Sequence, residues 1–429
     1  MRKLKIAVIG AGSTYSPEMI QGFIDRKEVL DVDSFYMMDI DREKNEIVAG
    51  LTKRMLEAND MHPKFVLTED LGEAVSNADY VLGQIRVGKL EARILDEKIP
   101  LKYGLLGQET TGAGGFMNAL RTLPVILNIA DTMEKLAPSA WFINFSNPSG
   151  IMADAVLNLT KIKMIGLCNV PTGILRDAMP RVPKGTKTVD YDYVGLNHLA
   201  WLTGLYADGR EILQEQLGNE TEISGMKNTP VIPYPPKMLQ QIGGIPANYP
   251  SYYYFRDEHI QKCRDAKLCR GEECEQIEAQ LLKMYKDVSL CGKPDLLNQR
   301  GGAYYSEAAV SLIEALENDK QEYHVVNVLN QGAFPFMAPD DAVEVKCVVG
   351  RDGAKPVPLG HFDNWHMIGL MQAVKAYEKL TIRAAVTGSY TDALQALLVH
   401  PLIGDYRKAK GVLDEMLEAN RAFLPRFFS

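Results

Sequence analysis

The chain is poor in cysteine, has no long apolar run and carries no surplus of positive charge. Each shortage closes off a class of protein. Six unevenly spaced cysteines in 429 residues do not make a disulfide framework, which implies reduced thiols and a cytoplasmic setting. No apolar run approaches the length of a membrane span. The formal net charge of -8 argues against a nucleic-acid partner and leaves room only for a local basic pocket. There is no internal repeat and no low-complexity tract. The opening MRKLKIAVIG puts charge before apolar residues, as a secretory leader does. Its apolar part is short and runs straight into glycines, so it reads as a strand. With 46% apolar and 24% charged residues, the remaining class is a soluble globular enzyme, long enough for two domains.

The stretch Lys3 to Ser13, KLKIAVIGAGS, organises the rest. Its apolar run with Ile6, Val8 and Ile9 reads as a buried strand feeding a tight turn. Gly10 and Gly12 let the backbone turn and approach a ligand without a Cβ in the way. Thr14 to Ile24 has helical spacing, and a helix start over such a turn suits a pyrophosphate. The third glycine of the usual dinucleotide fingerprint is missing, because Tyr15 stands there. A second strand, Ser34 to Met38, ends in Asp39. An acidic residue at that point accepts from the adenine-ribose hydroxyls and repels a 2′-phosphate, so the pattern favours NAD over NADP. The alternative is a plain βα turn with a solvated Asp39.

Strand-like and helix-like segments alternate through the first 170 or so residues. Helical spacing over 42–59 and 118–136 separates candidate strands at 64–67, 80–84, 140–145 and 163–167. The expectation is a mostly parallel Rossmann-like sheet with helices on both faces. Arg86, Ser146-Asn147-Pro148 and Cys168-Asn169 each follow a strand and should share one crevice beyond the strand ends. The pattern changes near Thr186. Strands over 189–197 and 200–206 precede a Gly- and Pro-rich stretch, 218–250, that reads as loops. Helices over 273–285 and 306–317, strands over 324–329 and 343–349, and a helical end from about His366 complete the chain. The fold class is thus α/β, with an N-terminal Rossmann-like domain over 1–195 and a C-terminal α+β domain over 196–429.

Candidate chemistry gathers in a few places. Cys168 and His198 each follow an apolar segment. A thiolate and an imidazole can share a divalent metal, with substrate and water completing a loose site; equally, each residue can be ordinary core. Cys263, Cys269 and Cys274 fit no zinc spacing. The run GLLGQETTGAGG, 104–115, is too glycine-rich for a helix. Its Glu109 can assist proton transfer or cap the following helix. In GIPANYPSYYY, the tyrosines at 249 and 252–254 suit a sugar-binding wall, or a phenol base beside a cation, or a packed cluster. Arg270 can grip a phosphate or sit in water.

Taken in order, IGAGS, IRVGKLEARILDEKIPLKYGLLGQETTGAGG, NFSNPSG, GLCNVPTG, GLNHLAW and GIPANYPSYYY resemble glycoside hydrolase family 4, an exception to two-carboxylate glycoside hydrolysis. The resemblance implies a lactate/malate dehydrogenase-like overall fold and a 6-phospho-glycosidase that needs NAD and a divalent metal, usually Mn²⁺. It implies Cys168 and His198 as metal ligands, Tyr249 as catalytic base, and Gly10, Gly12, Ser13 and Asp39 at the cofactor. Arg93, Asn147, Asn169 and Arg270 correspond to substrate-binding positions. Members acting on α-linked substrates carry an acidic Asp after the metal Cys. Asn169 stands there here, which points to 6-phospho-β-glucosides and leaves the acid role to Glu109 as a candidate. Pro250 after Tyr249 also departs from the family pattern and should hold Tyr249 extended. The implied reaction oxidises C3 transiently, eliminates the C1 group after loss of the C2 proton, adds water and returns the hydride. A homodimer or homotetramer is implied by analogy. Two other readings stand beside this one: an NAD-dependent 2-hydroxy acid dehydrogenase and a non-catalytic NAD-binding sensor.

Overall fold

The computed structural model describes residues 2–217, 227–301 and 305–429. Part of the expected loop region, 218–226, lies outside the described residues. Strands β1 (Lys3–Ile9), β2 (Asp31–Met38), β3 (Lys64–Thr68), β4 (Tyr80–Gly83), β5 (Trp141–Asn144) and β6 (Lys163–Gly166) pair in parallel in the order β3-β2-β1-β4-β5-β6. This is the doubly wound dinucleotide-binding order, which reverses direction between β1 and β4 and opens a crevice there. The central strands are apolar along both faces because helices cover each side. In β1, Leu4, Ile6, Ala7 and Val8 are fully buried.

The strands β7 (Val189–Leu196), β8 (Leu199–Ala207), β9 (Arg210–Glu211) and β10 (Ile245–Pro246) form a second, antiparallel sheet in the order β10-β8-β7, with β9 on β8. Three late strands return to the first sheet. β11 (Glu322–Leu329) lies antiparallel to β6, followed by β12 (Ala342–Gly350) and β13 (Gly353–Pro356). The large sheet therefore has nine strands, drawn from both sides of residue 195.

Helices α1 (Ser16–Ile24), α2 (Arg42–Ala58), α3 (Leu71–Val75), α4 (Lys89–Lys102), α5 (Gly112–Leu136), α6 (Ser149–Leu159) and α7 (Val170–Ala178) belong to the first half. The glycine-rich run does enter a helix, contrary to expectation: Gly112 to Gly115 form the first turn of α5, which runs for 25 residues through Pro124. Here tertiary packing overrides the poor helix propensity of glycine. No described helix is long and apolar enough to cross a membrane.

Buried ion pairs tie distant segments together. Arg121 on α5 meets Asp96 on α4 through two hydrogen bonds, 2.8 and 2.5 Å, and Asn420 near the C-terminus at 2.9 Å. Lys375, on helix Trp365–Thr387, reaches Asp154 on α6 at 2.9 Å and also pairs with Glu378. Breaking one partner of such a pair leaves an uncompensated buried charge, so each pair fixes the geometry of the elements that carry it.

Two buried histidines make the fold acid-sensitive. Burial pulls His259 down from 6.5 to about 4 and His400 to about 3. Between pH 6.5 and these values the unfolded chain takes up protons that the folded chain refuses, so stability is present above 6.5 and falls as the pH drops. Thermal melts should show a lower Tm at pH 5 than at pH 7.5. The double variant His259→Gln, His400→Gln should show a smaller drop; an equal drop would assign the acid loss to other groups.

Candidate active site

The turn after β1 meets the loop after β2 on one side and, at the reversal point of the sheet, the loop after β4 on the other. Gly10 has φ +88°, and a Cβ there would lie 2.8 Å from the Gln84 carbonyl oxygen after β4, so only glycine suits the position. The Gly12 N–H donates to Asp39 Oδ2 at 2.8 Å and the Asp41 N–H to Asp39 Oδ1 at 2.9 Å. The carboxylate is thereby oriented, with a lone pair left on each oxygen for a ribose hydroxyl. Gly10, Gly12, Ser13 and Asp39 line a cavity of about 950 Å³. Tyr15, in place of the third glycine, lies under Arg300 with the guanidinium 5.4 Å from its ring centre.

The same cavity continues past β4 and β5 to Arg86, Arg93, Glu109, Asn147, Glu278 and Arg300. Arg93 is 1% exposed. It pairs with Glu97 at 2.8 Å and Glu109 at 3.0 Å, and Glu109 also pairs with Arg86. Burial acts to raise the Glu109 carboxyl, but Arg86 and Arg93 outweigh it and hold it at about 2. Glu109 is therefore a carboxylate at neutral pH, which speaks against the acid role considered for it; its arginine partners are 23 and 16 positions away in the chain and leave no local signal. Arg93 Nη2 and Arg300 Nε are buried without acceptors. Both residues line the cavity, and a guanidinium there suits an anion.

Arg270 is committed elsewhere. Its Nε donates to Asn228 Oδ1 at 2.8 Å, its Nη1 to Glu273 at 2.8 Å and its Nη2 to the Gln299 and Arg300 carbonyls at 2.7 and 3.1 Å. It holds the segment that carries Arg300, and it is Arg300 that reaches the cavity. Sequence reasoning singled out Arg270 and missed Arg300, which sits in NQRGG without a distinguishing pattern.

Cys168, His198 and Tyr249 are buried and are not among the residues that line the cavity. Of the strand ends expected to share one crevice, Arg86 and Asn147 line it, while Cys168 and Asn169 do not. Glu109 faces the cavity. Thr110, the next residue, meets Tyr249 Oη through its hydroxyl at 3.0 Å and His198 through its backbone. Gln108 Oε1 accepts the N–H groups of Thr110 and Thr111 at 2.5 and 3.1 Å. The Thr110 hydroxyl is also 3.0 Å from that oxygen, so it stands between the Gln108 amide and the phenol oxygen. The His198 and Tyr249 rings stack with centres 3.9 Å apart. Tyr249 has φ −69° and ψ −33°, helical and not extended as Pro250 led one to expect. The Thr110 bond and the His198 stack fix it against the local preference.

The donor set suits a divalent cation. Burial holds His198 down at about 4, so the imidazole is neutral, and its Nδ1 is buried without a partner. A ring bonded through one nitrogen keeps the other's lone pair for a metal. Burial, then the charge of Glu344, raises the Cys168 thiol, against hydrogen bonds from Val170, Asn197 and Asn169. A bound cation would reverse that preference. Among the described residues no three His, Cys, Asp or Glu side chains converge, so such an ion would take its remaining ligands from substrate and water.

The path of the 108–110 segment depends on Gly114. A Cβ there would lie 2.2 Å from the Gln108 carbonyl oxygen and 2.6 Å from that of Asp96. Gly114→Ala should shift the segment, cost about 1–3 kcal/mol in denaturant unfolding and lower kcat by about 100-fold for a displacement near 1 Å. Unchanged turnover would show that the segment does not set the site.

Comparison with known proteins agrees with this geometry. Residues 5–182 match the model for family 4 glycosyl hydrolases, and residues 193–403 match that for the C-terminal domain of the same family. A probable 6-phospho-beta-glucosidase of Bacillus subtilis is 41% identical over 99% of this chain and 98% of its own length. The 6-phospho-beta-glucosidase of Thermotoga maritima, solved with manganese, NAD+ and glucose-6-phosphate, is 36% identical. It superposes with a TM-score of 0.89 over 98% of this chain and 99% of that one. In fold alone, malate dehydrogenase from Plasmodium falciparum is similar, at 14% identity and a TM-score of 0.50 over 89% of this chain and 98% of that one. The chain is a glycosidase and belongs to family 4 of the glycosyl hydrolases.

Proposed function

We propose that this enzyme hydrolyses 6-phospho-β-glucosides, phosphorylated β-linked disaccharides or aryl glucosides, with NAD and a divalent metal, Mn²⁺ by preference. The observation that carries the reading is the junction at residues 109–110. Glu109 lines the dinucleotide-type cavity together with Arg86, Arg93 and Arg300. Thr110, the next residue, bonds Tyr249, whose ring stacks on His198 and which shares a packed cluster with Cys168. Relatives at 37–41% identity carry the matching name, whereas those at 29–31% are named for α-glucosides or maltose 6'-phosphate, and one crystal structure holds the matching ligands. In this reading residues 1–195 chiefly bind NAD, and 196–429 supply substrate, metal and assembly contacts.

When bound, NAD accepts a hydride from C3 and later returns it, while the metal ion polarises the C2 and C3 oxygens. Asp39 takes the ribose hydroxyls and Gly10, Gly12 and Ser13 admit the pyrophosphate. Arg93 and Arg300, which line the cavity, take the 6-phosphate, and Asn147 adds a hydrogen bond to the sugar. Cys168 and His198 hold the ion. Tyr249 removes the C2 proton, and the electron pair left behind expels the C1 oxygen, which takes a proton from water; the hydroxyl of that water adds at C1, the phenol returns the proton to C2 and the hydride returns to C3, so the net change is hydrolysis. Thr110 steadies the phenol oxygen during that transfer. Asn169 has no acidic proton to deliver to an α-linked leaving group, which supports the β assignment.

An assay with p-nitrophenyl β-glucoside 6-phosphate tests the whole reading. Release of nitrophenol should require both NAD and Mn²⁺, produce no net NADH, and fail with the α-anomer and with the unphosphorylated glucoside. Steady NADH accumulation would instead identify a dehydrogenase. Tyr249→Phe should lower kcat by a factor of about 10²–10⁴ and leave NAD affinity, measured by calorimetry, unchanged. Full activity in that variant would remove Tyr249 from the chemistry.

A further inference from the structure

We propose that Glu344, on β12, is a positioning residue for the cation at Cys168 and His198, acting through the side chain of Asn197. The proposal deepens the functional reading above and rests on it.

Glu344 is 1% exposed. Its carboxylate accepts from Tyr193 Oη at 2.6 Å, Asn197 Nδ2 at 3.0 Å and Asn327 Nδ2 at 3.3 Å. Among the described residues none of these partners is a cation. A buried carboxylate with neutral donors alone is unfavourable, and a positive charge nearby would relieve it.

Asn197 provides the connection. Its Oδ1 accepts the Gly150 N–H at 3.1 Å. That bond sets which way the amide faces, so its nitrogen is the group turned to Glu344. The same side chain lies beside the Cys168 thiol and favours its ionised form. One amide thus links the start of α6 beyond Asn147 to the carboxylate on β12, next to the thiol after β6. His198, the next residue, sits at φ +67°, a left-handed conformation that a non-glycine residue keeps only when its surroundings hold it. The bonds of Asn197 to Gly150 and Glu344 supply that hold. Glu344 therefore orients both ligand-bearing segments and adds negative charge behind the thiolate, in the manner of outer partners at metal sites.

The test uses full-length Glu344→Gln, which keeps the side chain's shape and removes its charge. Mn²⁺ binding, measured by electron paramagnetic resonance of the free ion with NAD present, should weaken about 10–100-fold. In the Co²⁺-loaded protein the thiolate-to-cobalt charge-transfer band should shift or weaken, while NAD affinity stays within about twofold. Should Glu344→Gln not fold, Asn197→Ala breaks the connection and leaves Glu344 its bonds to Tyr193 and Asn327; the same loss is expected. A folded variant of either kind with Mn²⁺ affinity and cobalt band unchanged overturns the role of Glu344. A parent chain that neither binds Mn²⁺ nor cleaves the phosphorylated β-glucoside overturns the functional reading as well.

Discussion

Close backbone contact at the start of α5 is the constraint on which the site depends. Gly114 lies so near the carbonyls of Gln108 and Asp96 that no Cβ fits between them. That contact sets the path of three residues with different tasks. Gln108 closes the turn on its own backbone, Glu109 enters the arginine cluster, and Thr110 turns the other way to Tyr249 and His198. Adjacent residues thus reach the cavity and the Tyr249–His198 pair. Glycine at the first turn of a long helix costs helix stability, and the cost is offset by the packing it permits.

The electrostatics are local. The chain carries a net charge of -8, yet its cavity is lined by Arg86, Arg93 and Arg300. Three carboxylates balance these groups: Glu97 and Glu109 at Arg93, and Glu278 at Arg300, 3.0 Å away. Balanced charge makes such burial tolerable. Around Cys168 the balance differs: the hydrogen-bond partners of the buried carboxyl of Glu344, which acts on the thiol, are neutral among the described residues, and the proposed cation would supply the missing positive charge.

Legibility followed contact distance. The Gly10–Ser13 turn and Asp39 were readable because they belong to one βαβ unit and touch directly, Gly12 N–H to Asp39. Cys168, His198 and Tyr249 were readable because each sits in a motif of the family. Glu109 was located but misread as an acid, since its charge state is set by arginines that spacing does not reveal. Arg270 drew attention that belonged to Arg300, because only folding shows which guanidinium is already fully bonded. Tyr249 was expected to be extended from the proline after it, and ring stacking on His198 decided otherwise.

Glu344 marks the boundary. In AVEVKCVVG the sequence reads as a strand over 343–349 and gives Glu344 no role. The strand lies against β7, whose Tyr193 bonds Glu344 and whose Tyr191 carbonyl receives Lys346. By itself the sequence determined the βα alternation, the dinucleotide turn, the family and the identity of the candidate ligands and base, because these follow from periodicity and contiguous motifs. Only the tertiary structure decided which charges are paired, which arginines remain free, that late strands complete the first sheet, and which buried carboxylate stands behind the thiol. Those outcomes arise from contacts between segments far apart in the chain, and no local pattern encodes them.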